Sequence, residues 1–283
     1  MAPRVAVVGH VEWVEFLRVP HVPRPGEIVH ATDVFSEAAG GGGVAAVQLR
    51  KLAGECTFFT SLADDQIGHA AAADFEARGV DLRVAWRSGE AQRRAVVFVD
   101  PAGERTITVL GDRLPPKASD DLGWGDLAEF DAVYLTAGDV AAVQAARAAN
   151  VVVATSRVLP LLQEAGVQLD AVVGSSKDAA EAYAAGDLDP APHYTVMTAG
   201  ASGGTIARDD AEPAAFAASE LPGPVVDAYG AGDSFAAGLT FGLGAGMSIE
   251  EAVALGARCG AHNMTGAGSY EGQLEIPSRR VVT

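Results

Sequence analysis

Short apolar runs alternate with helix-like segments along most of the chain. Runs such as VAVVG (5–9) and CTFFTSLA (56–63) are apolar at nearly every position, which is typical of strands buried on both faces of a parallel sheet. Segments rich in alanine, such as GGGGVAAVQLRKLAG (40–54) and KDAAEAYAAG (177–186), end at a glycine, as helices often do. The alternation predicts βα units, that is, a three-layer α/β/α sandwich around a mainly parallel central sheet.

Two segments, 11–39 and 83–113, interrupt this alternation. The first mixes alternating apolar residues with prolines, and the second reads as a hairpin in which RRAVVFVD and ERTITVLG flank PAG. We expect both segments to form a small β lid over the strand ends, where α/β proteins bind their ligands. Residues 1–283 are predicted to form one domain that includes this lid.

Composition and charge narrow the function classes. The 283 residues are 49% hydrophobic and 20% charged, and their formal net charge is −17. Binding to a nucleic acid or to an anionic membrane surface requires stripes of Lys and Arg, so neither partner is expected. No apolar run has transmembrane length and no signal peptide is evident, which predicts a cytoplasmic protein. The two cysteines, Cys56 and Cys259, are interpreted as buried thiols, with a disulfide or a catalytic thiol as alternatives.

The segment DAYGAGDSFAAG (227–238) carries the most informative chemistry. Gly230, Ala231 and Gly232 have almost no side chain to shield their amides, so several N–H groups can converge on one anion at the start of a helix. Asp233 follows in the first turn. It either stabilises the helix dipole or acts as a base beside a phosphoryl group that the amides hold.

The glycine run at 40–43 does not indicate a dinucleotide site. Gly40, Gly42 and Ala45 fit the spacing G-x-G-x-x-A, but the preceding segment is not a buried strand, and no Walker-type motif occurs in the sequence. Two interpretations remain. The glycines allow tight packing at a helix start, or their backbone approaches a polar ligand, in which case Gly41, Gly42 and Gly43 are candidate substrate contacts.

Five segments in order resemble the signatures of the ribokinase-like (phosphofructokinase B) carbohydrate kinases, over nearly the whole chain. DAYGAGDSFAAG is similar to the C-terminal D-T-x-G-A-G-D-x-F signature of that family. The other four are GGGGVAAVQLRKLAG, SLADDQIG (61–68), GERTITVLG (103–111) and VMTAGASGG (196–204).

The resemblance implies a role for each matched position. Asp233 would be the catalytic base, and the amides of residues 230–232 would form the anion hole for the γ-phosphate of ATP. The nucleotide site would comprise Ser175, Thr198, Gly200, Gly203 and Gly232. Asp178 and Glu181 would hold Mg²⁺ through water, as this hard ion prefers; the alternative for both is a solvated helix face. Asp227 would lie at a monovalent cation site that takes K⁺ in many members.

The sugar half of the family pattern is altered. Ala45 and Val14 replace an asparagine and an acid that bind sugar hydroxyls in the family. Glu12 is a candidate substrate contact or a strand-surface charge. Asp139 is a candidate hydroxyl contact or a helix N-cap, and Arg105 is a candidate contact for an anionic substrate or a solvated side chain.

We therefore predict an ATP-dependent kinase that phosphorylates a hydroxyl, preferably a primary one, of a sugar or a sugar-like small molecule. Three alternatives stay open. A nucleoside kinase would need an aromatic pocket, for which Trp13, Phe16 and Phe35 are available. A sugar-phosphate kinase would need a basic residue such as Arg105, and a non-catalytic binding protein would not need Asp233. A homodimer through the lid is a further expectation from the family.

Overall fold

The computed structural model describes residues 2–209 and 211–276. Thirteen strands occur in these ranges: β1 (Val5–Val8), β2 (Glu12–Arg18), β3 (Asp33–Ala39), β4 (Thr57–Ala63), β5 (Asp81–Arg87), β6 (Arg94–Val99), β7 (Arg105–Leu110), β8 (Ala132–Leu135), β9 (Val151–Thr155), β10 (Ala171–Ser175), β11 (Tyr194–Thr198), β12 (Gly204–Arg208) and β13 (Ala214–Phe216). The same ranges hold six α-helices: α1 (Gly40–Ala53), α2 (Gln66–Ala77), α3 (Val140–Ala146), α4 (Leu159–Ala165), α5 (Ala231–Gly244) and α6 (Ile249–Asn263).

Nine strands form the central sheet in the order β13-β12-β11-β10-β9-β8-β1-β4-β5. The pairs formed by β12 are antiparallel, and the remaining neighbours in this sheet are parallel. Parallel strands place their carboxyl ends at one edge of the sheet, so the residues that follow β1, β4, β8, β10 and β11 lie along the same edge.

The sheet is buried on both faces. Along β1, Val5 and Val7 pack in the core that contains α1, α2, α5 and α6, whereas Ala6 and Val8 pack in the core that contains α3 and α4. A fully apolar strand thus serves two helical layers, because successive side chains point to opposite faces. The predicted three-layer α/β/α sandwich is confirmed.

A second sheet of four strands, in the order β3-β2-β6-β7, forms the lid. The β6–β7 hairpin is antiparallel, as predicted from the two runs around PAG. The boundary of the second lid segment was wrong, because residues 83–87 belong to β5, which pairs with β4 in the central sheet. Gln92 connects lid and sheet, since its side chain accepts from Ala63 N (3.0 Å) and donates to Val11 O (3.2 Å).

The predicted helix over 177–186 was also wrong. Only Ala179–Glu181 forms a short 3₁₀ turn, and the chain leaves it at Ala182 with an extended ψ of 135°. Ser156 Oγ donates to the carbonyl oxygen of Glu181 at 2.7 Å, so this carbonyl is bonded outside the turn.

Two further observations concern the chain as a whole. Cys56 and Cys259 are free and buried, as predicted, and burial raises the pKa of both thiols, which leaves neither suited to nucleophilic chemistry. In the described part of the chain, no helix has the length and apolar character needed to cross a bilayer.

Candidate active site

The loop before α5 forms the first part of the site. Gly230 adopts a left-handed conformation with φ 77°, and α5 begins at the next residue. The amides of the first helical turn have no acceptor within their own helix. A Cβ on Gly232 would meet no heavy atom within 4 Å, so this turn borders open space. The structure therefore places the predicted anion-hole residues at one open helix start.

Asp233 lies in this first turn, and most of its surface is covered by the protein. Burial of the carboxyl group raises its pKa from the ordinary value of 3.8 to about 7, and the negative charge of Glu181 raises it further. Arg157 and Arg105 oppose this shift. A carboxylate with a pKa near 7 exchanges a proton readily at neutral pH, which is the property that a general base requires.

The glycine run of α1 divides into two kinds of position. A Cβ on Gly41 would stand 2.8 Å from Asp233 Oδ1 and 3.9 Å from His10 Cε1, so Gly41 lies between these two side chains. A Cβ on Gly42 would stand 2.7 Å from the carbonyl oxygen of His10, and one on Gly43 would press on the ring of Phe75. Gly41 thus borders the site, whereas Gly42 and Gly43 allow close packing.

A charged group lies where the chain passes from β1 into the lid. Glu12 is buried and its Oε1 accepts from Arg93 Nε at 2.7 Å. The same oxygen lies 3.7 Å from His10 Nε2. Burial, together with Arg113, Arg93 and Arg157, holds the pKa of His10 well below its ordinary value, so this imidazole is neutral.

Two polar atoms near Gly9 are buried and have no hydrogen-bond partner in the described residues. They are Nδ1 of His10 and Oγ1 of Thr136. His10 follows β1 and Thr136 follows β8, at the carboxyl edge of the sheet. A Cβ on Gly9 would overlap Thr136 Oγ1, so the glycine keeps this hydroxyl accessible to the backbone of that loop. Unpaired buried polar atoms are costly unless a ligand or water satisfies them.

The predicted nucleotide residues come together at the ends of β10 and β11. Ser175 and Thr198 are the last residues of these strands and lie opposite each other in the sheet register. Gly200 and Gly203 shape the turn that follows, with φ of 61° and 78°. A Cβ on Gly200 would stand 2.9 Å from Lys177 Nζ, so an ammonium group lies over this turn. The arrangement offers backbone and one positive charge to a phosphate.

The two predicted Mg²⁺ residues share a counter-ion. Arg157 donates to Asp178 Oδ2 and to Glu181 Oε1, both at 2.6 Å. Asp178 Oδ1 also accepts from Ala180 N at 2.9 Å. No cluster of three or more metal-binding side chains is found within residues 2–209 and 211–276. A cation at this point would therefore share its carboxylates with Arg157.

Three other predicted residues have defined contacts. Asp227 is fully buried and accepts from Tyr229 N (2.9 Å) and Gly268 N (3.2 Å). Asp139 caps α3, since its Oδ1 accepts from Ala142 N at 2.8 Å, which matches the N-cap interpretation. Arg105 donates to the carbonyl oxygen of Ala228 at 3.1 Å, immediately before the anion-hole loop.

Sequence patterns did not indicate four polar side chains at the site: His10, Arg93, Arg113 and Thr136. A usable signal existed for His10, which directly follows the apolar run VAVVG, and for Thr136, which directly follows the four buried residues of β8. No such signal existed for the two arginines, which the lid brings in from outside the βα alternation.

A sequence model of the pfkB family of carbohydrate kinases matches residues 2–276. The chain belongs to this family. It is 32% identical over 288 residues to the ATP-dependent ribose-1-phosphate kinase of Halopiger xanaduensis, with 91% of this chain and 90% of that protein covered. The match to the ribokinase of Dictyostelium discoideum is 30% identical over 112 residues and spans 39% of this chain and 35% of that protein.

A solved structure has the same fold. The ribokinase of Arabidopsis thaliana, in complex with ribose and ATP, superimposes with a TM-score of 0.76 at 19% identity, covering 97% of this chain and 96% of that one. The predicted family, the ribokinase-like fold and the carbohydrate kinase class are therefore confirmed. The roles predicted for single residues stay predictions.

Proposed function

We propose that this protein transfers the γ-phosphoryl group of ATP to a hydroxyl group of a sugar or sugar-like molecule, with Asp233 as the general base. The observation that carries the proposal is the position of this carboxyl, whose pKa is raised to about 7, in the first turn of a helix that begins with small residues. A helix start of this kind binds a phosphate, and the base stands beside it.

The chemical step needs little from the protein beyond position and charge. The amides of residues 230–232 hold the transferring phosphoryl group, and Asp233 accepts the proton of the attacking hydroxyl on a carboxylate oxygen. Arg105, which contacts the same loop through Ala228 O, adds a positive charge near the developing negative charge. The lid excludes water, which would otherwise hydrolyse ATP.

ATP and its metal ion have candidate ligands. The turn at Gly200 and Gly203, with Lys177 above it, suits the phosphates of ATP. Mg²⁺, when bound, would spread the charge of these phosphates, and Asp178 and Glu181 are the carboxylates that would hold it through water. Asp227 remains the candidate for a K⁺ site.

The sugar hydroxyls would meet polar atoms at the carboxyl edge of the sheet. The buried Nδ1 of His10 and Oγ1 of Thr136 lack partners in the described residues and suit hydroxyl groups. Glu12 and the backbone around Gly41 are further candidate contacts for the sugar hydroxyls. Gly42, Gly43 and Asp139 remain candidates, although each already has a packing or capping contact. These contacts compensate for the residues that Ala45 and Val14 replace.

A nucleoside substrate is less well supported. Phe16 is fully buried and stacks on Phe35 with ring centroids 4.7 Å apart, and its edge meets Tyr229. One face of each of these two rings is therefore covered by the other, which reduces the aromatic surface available to a base. A non-catalytic binding protein would not need Asp233 beside the anion-hole loop.

The lid also offers a surface through which the expected homodimer could form. Strand β7 is an edge strand that is exposed along its whole length and carries Ile107, Val109 and Leu110. An exposed apolar edge of this kind favours pairing with another chain.

The test is an ADP-release assay with MgATP over neutral sugars, acidic sugars and nucleosides. The acidic sugars include phosphorylated ones, as the name of the relative from H. xanaduensis suggests. We expect sugar-dependent ADP release with transfer of phosphate to the sugar, detected by mass. Release for nucleosides alone would contradict a sugar substrate, and no release for any compound would contradict the kinase proposal.

A further inference from the structure

Arg113 lies at the point where the lid returns to the central sheet. It follows β7 by three positions, and the next residue, Leu114, accepts from Ser61 Oγ at 3.0 Å through its carbonyl oxygen. Ser61 belongs to β4, the neighbour of β1 in the sheet. Arg113 is therefore fixed beside the carboxyl end of these strands, next to the loop that carries His10.

No ion pair or hydrogen bond is found for the Arg113 side chain among residues 2–209 and 211–276, and its Nε is buried without a partner. Burial and the nearby Arg93 lower the pKa of this guanidinium, whereas Glu12 raises it. Among the nearby charges, Arg113 has the largest effect on the pKa of His10, which it lowers. These mutual effects place the two arginines, His10 and Glu12 in one group.

The other cations nearby are already neutralised. Arg157 has two carboxylates, Asp178 and Glu181, and Arg93 has one, Glu12. The group of His10, Glu12, Arg93 and Arg113 thus has an excess positive charge, in a chain with 37 acidic residues and a net charge of −17. A half-buried guanidinium without a counter-ion is unfavourable, so its counter-ion is expected to arrive with a ligand.

The group also faces the predicted reaction site. Gly41 lies between Asp233 and His10, and His10 lies next to Glu12, which contacts Arg93. A sugar whose hydroxyl reaches Asp233 therefore has its other end toward the arginines. Guanidinium groups bind phosphate and carboxylate oxygens through paired, charge-assisted hydrogen bonds.

We propose that the sugar substrate carries an acidic group, a phosphate ester or a carboxylate, and that Arg113 and Arg93 bind this group at the end of the pocket away from Asp233. This inference rests on the proposed kinase function. It assigns the anion to a different arginine from Arg105, which contacts the anion-hole loop.

The experiment compares matched sugars that keep a free primary hydroxyl. The pairs are D-ribose with D-ribose 1-phosphate, D-fructose with D-fructose 1-phosphate, and D-glucose with D-gluconate, each assayed for kcat/KM by ADP release. We expect the wild type to prefer the acidic member of a pair. Arg113→Gln should reduce kcat/KM for that acidic sugar by about 10- to 100-fold, the effect of losing charged hydrogen bonds, and leave the neutral sugar within about twofold. Arg93→Gln should also weaken the acidic sugar, but because Arg93 pairs with Glu12 it is not expected to spare the neutral one.

Arg94→Gln is the matched control. Arg94 neighbours Arg93 in the chain but pairs with Glu15 and is more exposed, so its loss should leave both members of each pair unchanged. Equal wild-type rates on neutral and acidic sugars, or an equal loss on both in Arg113→Gln, would overturn the inference while leaving the kinase function intact. The sugar pair in which the wild type prefers the acidic member shows whether the site binds a phosphate or a carboxylate.

A binding measurement keeps the two proposals separate. Calorimetric titration with the same acidic sugars, at saturating ADP, reports the anion site without turnover. Weaker binding to Arg113→Gln than to Arg94→Gln supports the inference even if no sugar is phosphorylated, which would refute only the kinase proposal. Equal affinities of the two variants, or no binding of any acidic sugar to the wild type, would overturn the inference.

Discussion

Replacing the proposed base should stabilise the protein at neutral pH, because the folded state holds Asp233 in an unfavourable ionised form. The pKa of this carboxyl is about 7 in the folded protein and 3.8 ordinarily. Below pH 3.8 both states are protonated, so the group has no effect. Between the two values the unfolded state is ionised and the folded state is not, and stability falls as pH rises. Above pH 7 the loss reaches about 4 kcal/mol, at 1.36 kcal/mol per pH unit.

Asp233→Asn removes this pH-dependent loss. Urea unfolding of the wild type and the variant at about pH 5.5 and about pH 8 measures this loss, with Asp126→Asn, an exposed acid in the 3₁₀ turn before β8, as the control. The wild type should lose about 2 kcal/mol more than the Asn variant between these two pH values. If the unfolding free energies of the wild type and the Asn variant differ by the same amount at both pH values, a pKa near 7 is refuted. The physical reason for choosing Asp233 as the base is then refuted with it.

Three further changes test the surroundings of this carboxyl and the turn at residues 200–203. Glu181→Gln removes the charge that raises the pKa of Asp233 most, so the midpoint of the pH–kcat/KM profile should move to lower pH; an unchanged midpoint would contradict the coupling. Gly41→Ala places a methyl group 2.8 Å from Asp233 Oδ1 and should lower kcat about 100-fold with little change in Tm; wild-type kcat would contradict the contact. Gly203→Ala forces a φ of 78° on alanine and overlaps Phe216 O, so urea unfolding should show a loss of at least about 2 kcal/mol; an unchanged midpoint would contradict the strained turn.

Local motifs allowed the arrangement of the proposed phosphate-binding residues to be predicted. Gly230, Gly232 and Asp233 are consecutive or nearly so, and one helix start holds them together, so their arrangement follows from short-range rules. Ser175 and Thr198 are similar, because buried parallel strands bring their last residues to the same edge. For such residues the sequence order and the fold class together imply the geometry.

The residues proposed to contact the substrate could not be predicted in the same way. His10, Arg93 and Arg113 come from the end of β1, the start of the lid hairpin and its exit, and only the docking of the lid brings them together. What singles out Arg113 is that its charge has no partner among the described residues. A sequence with 20 Lys and Arg residues does not show which of them are paired. Arg105 was the natural candidate by motif, yet its guanidinium donates to the carbonyl oxygen of Ala228, in the loop before α5.

The errors in the fold have a related cause. Alanine-rich composition favours a helix over 177–186. In the structure, however, Asp178 and Glu181 both accept from Arg157, and Ser156 Oγ donates to the carbonyl oxygen of Glu181. Tertiary hydrogen bonds outweigh a propensity that is worth only tenths of a kcal/mol per residue. Residues 83–87 of β5 were assigned to the lid because they depart from the βα alternation. They form an edge strand of mixed composition, and composition does not tell which sheet an edge strand joins.

The most direct test of the account is the rate of phosphoryl transfer by Asp233→Asn. The sugar that the wild type phosphorylates best is used in an ADP-release assay, and ADP binding is measured by calorimetry on the same preparations. We predict a kcat at least about 100-fold below that of the wild type, the usual effect of removing a general base, with ADP affinity within about threefold. Turnover at the wild-type rate would contradict the assignment of Asp233 as the base and the central claim with it.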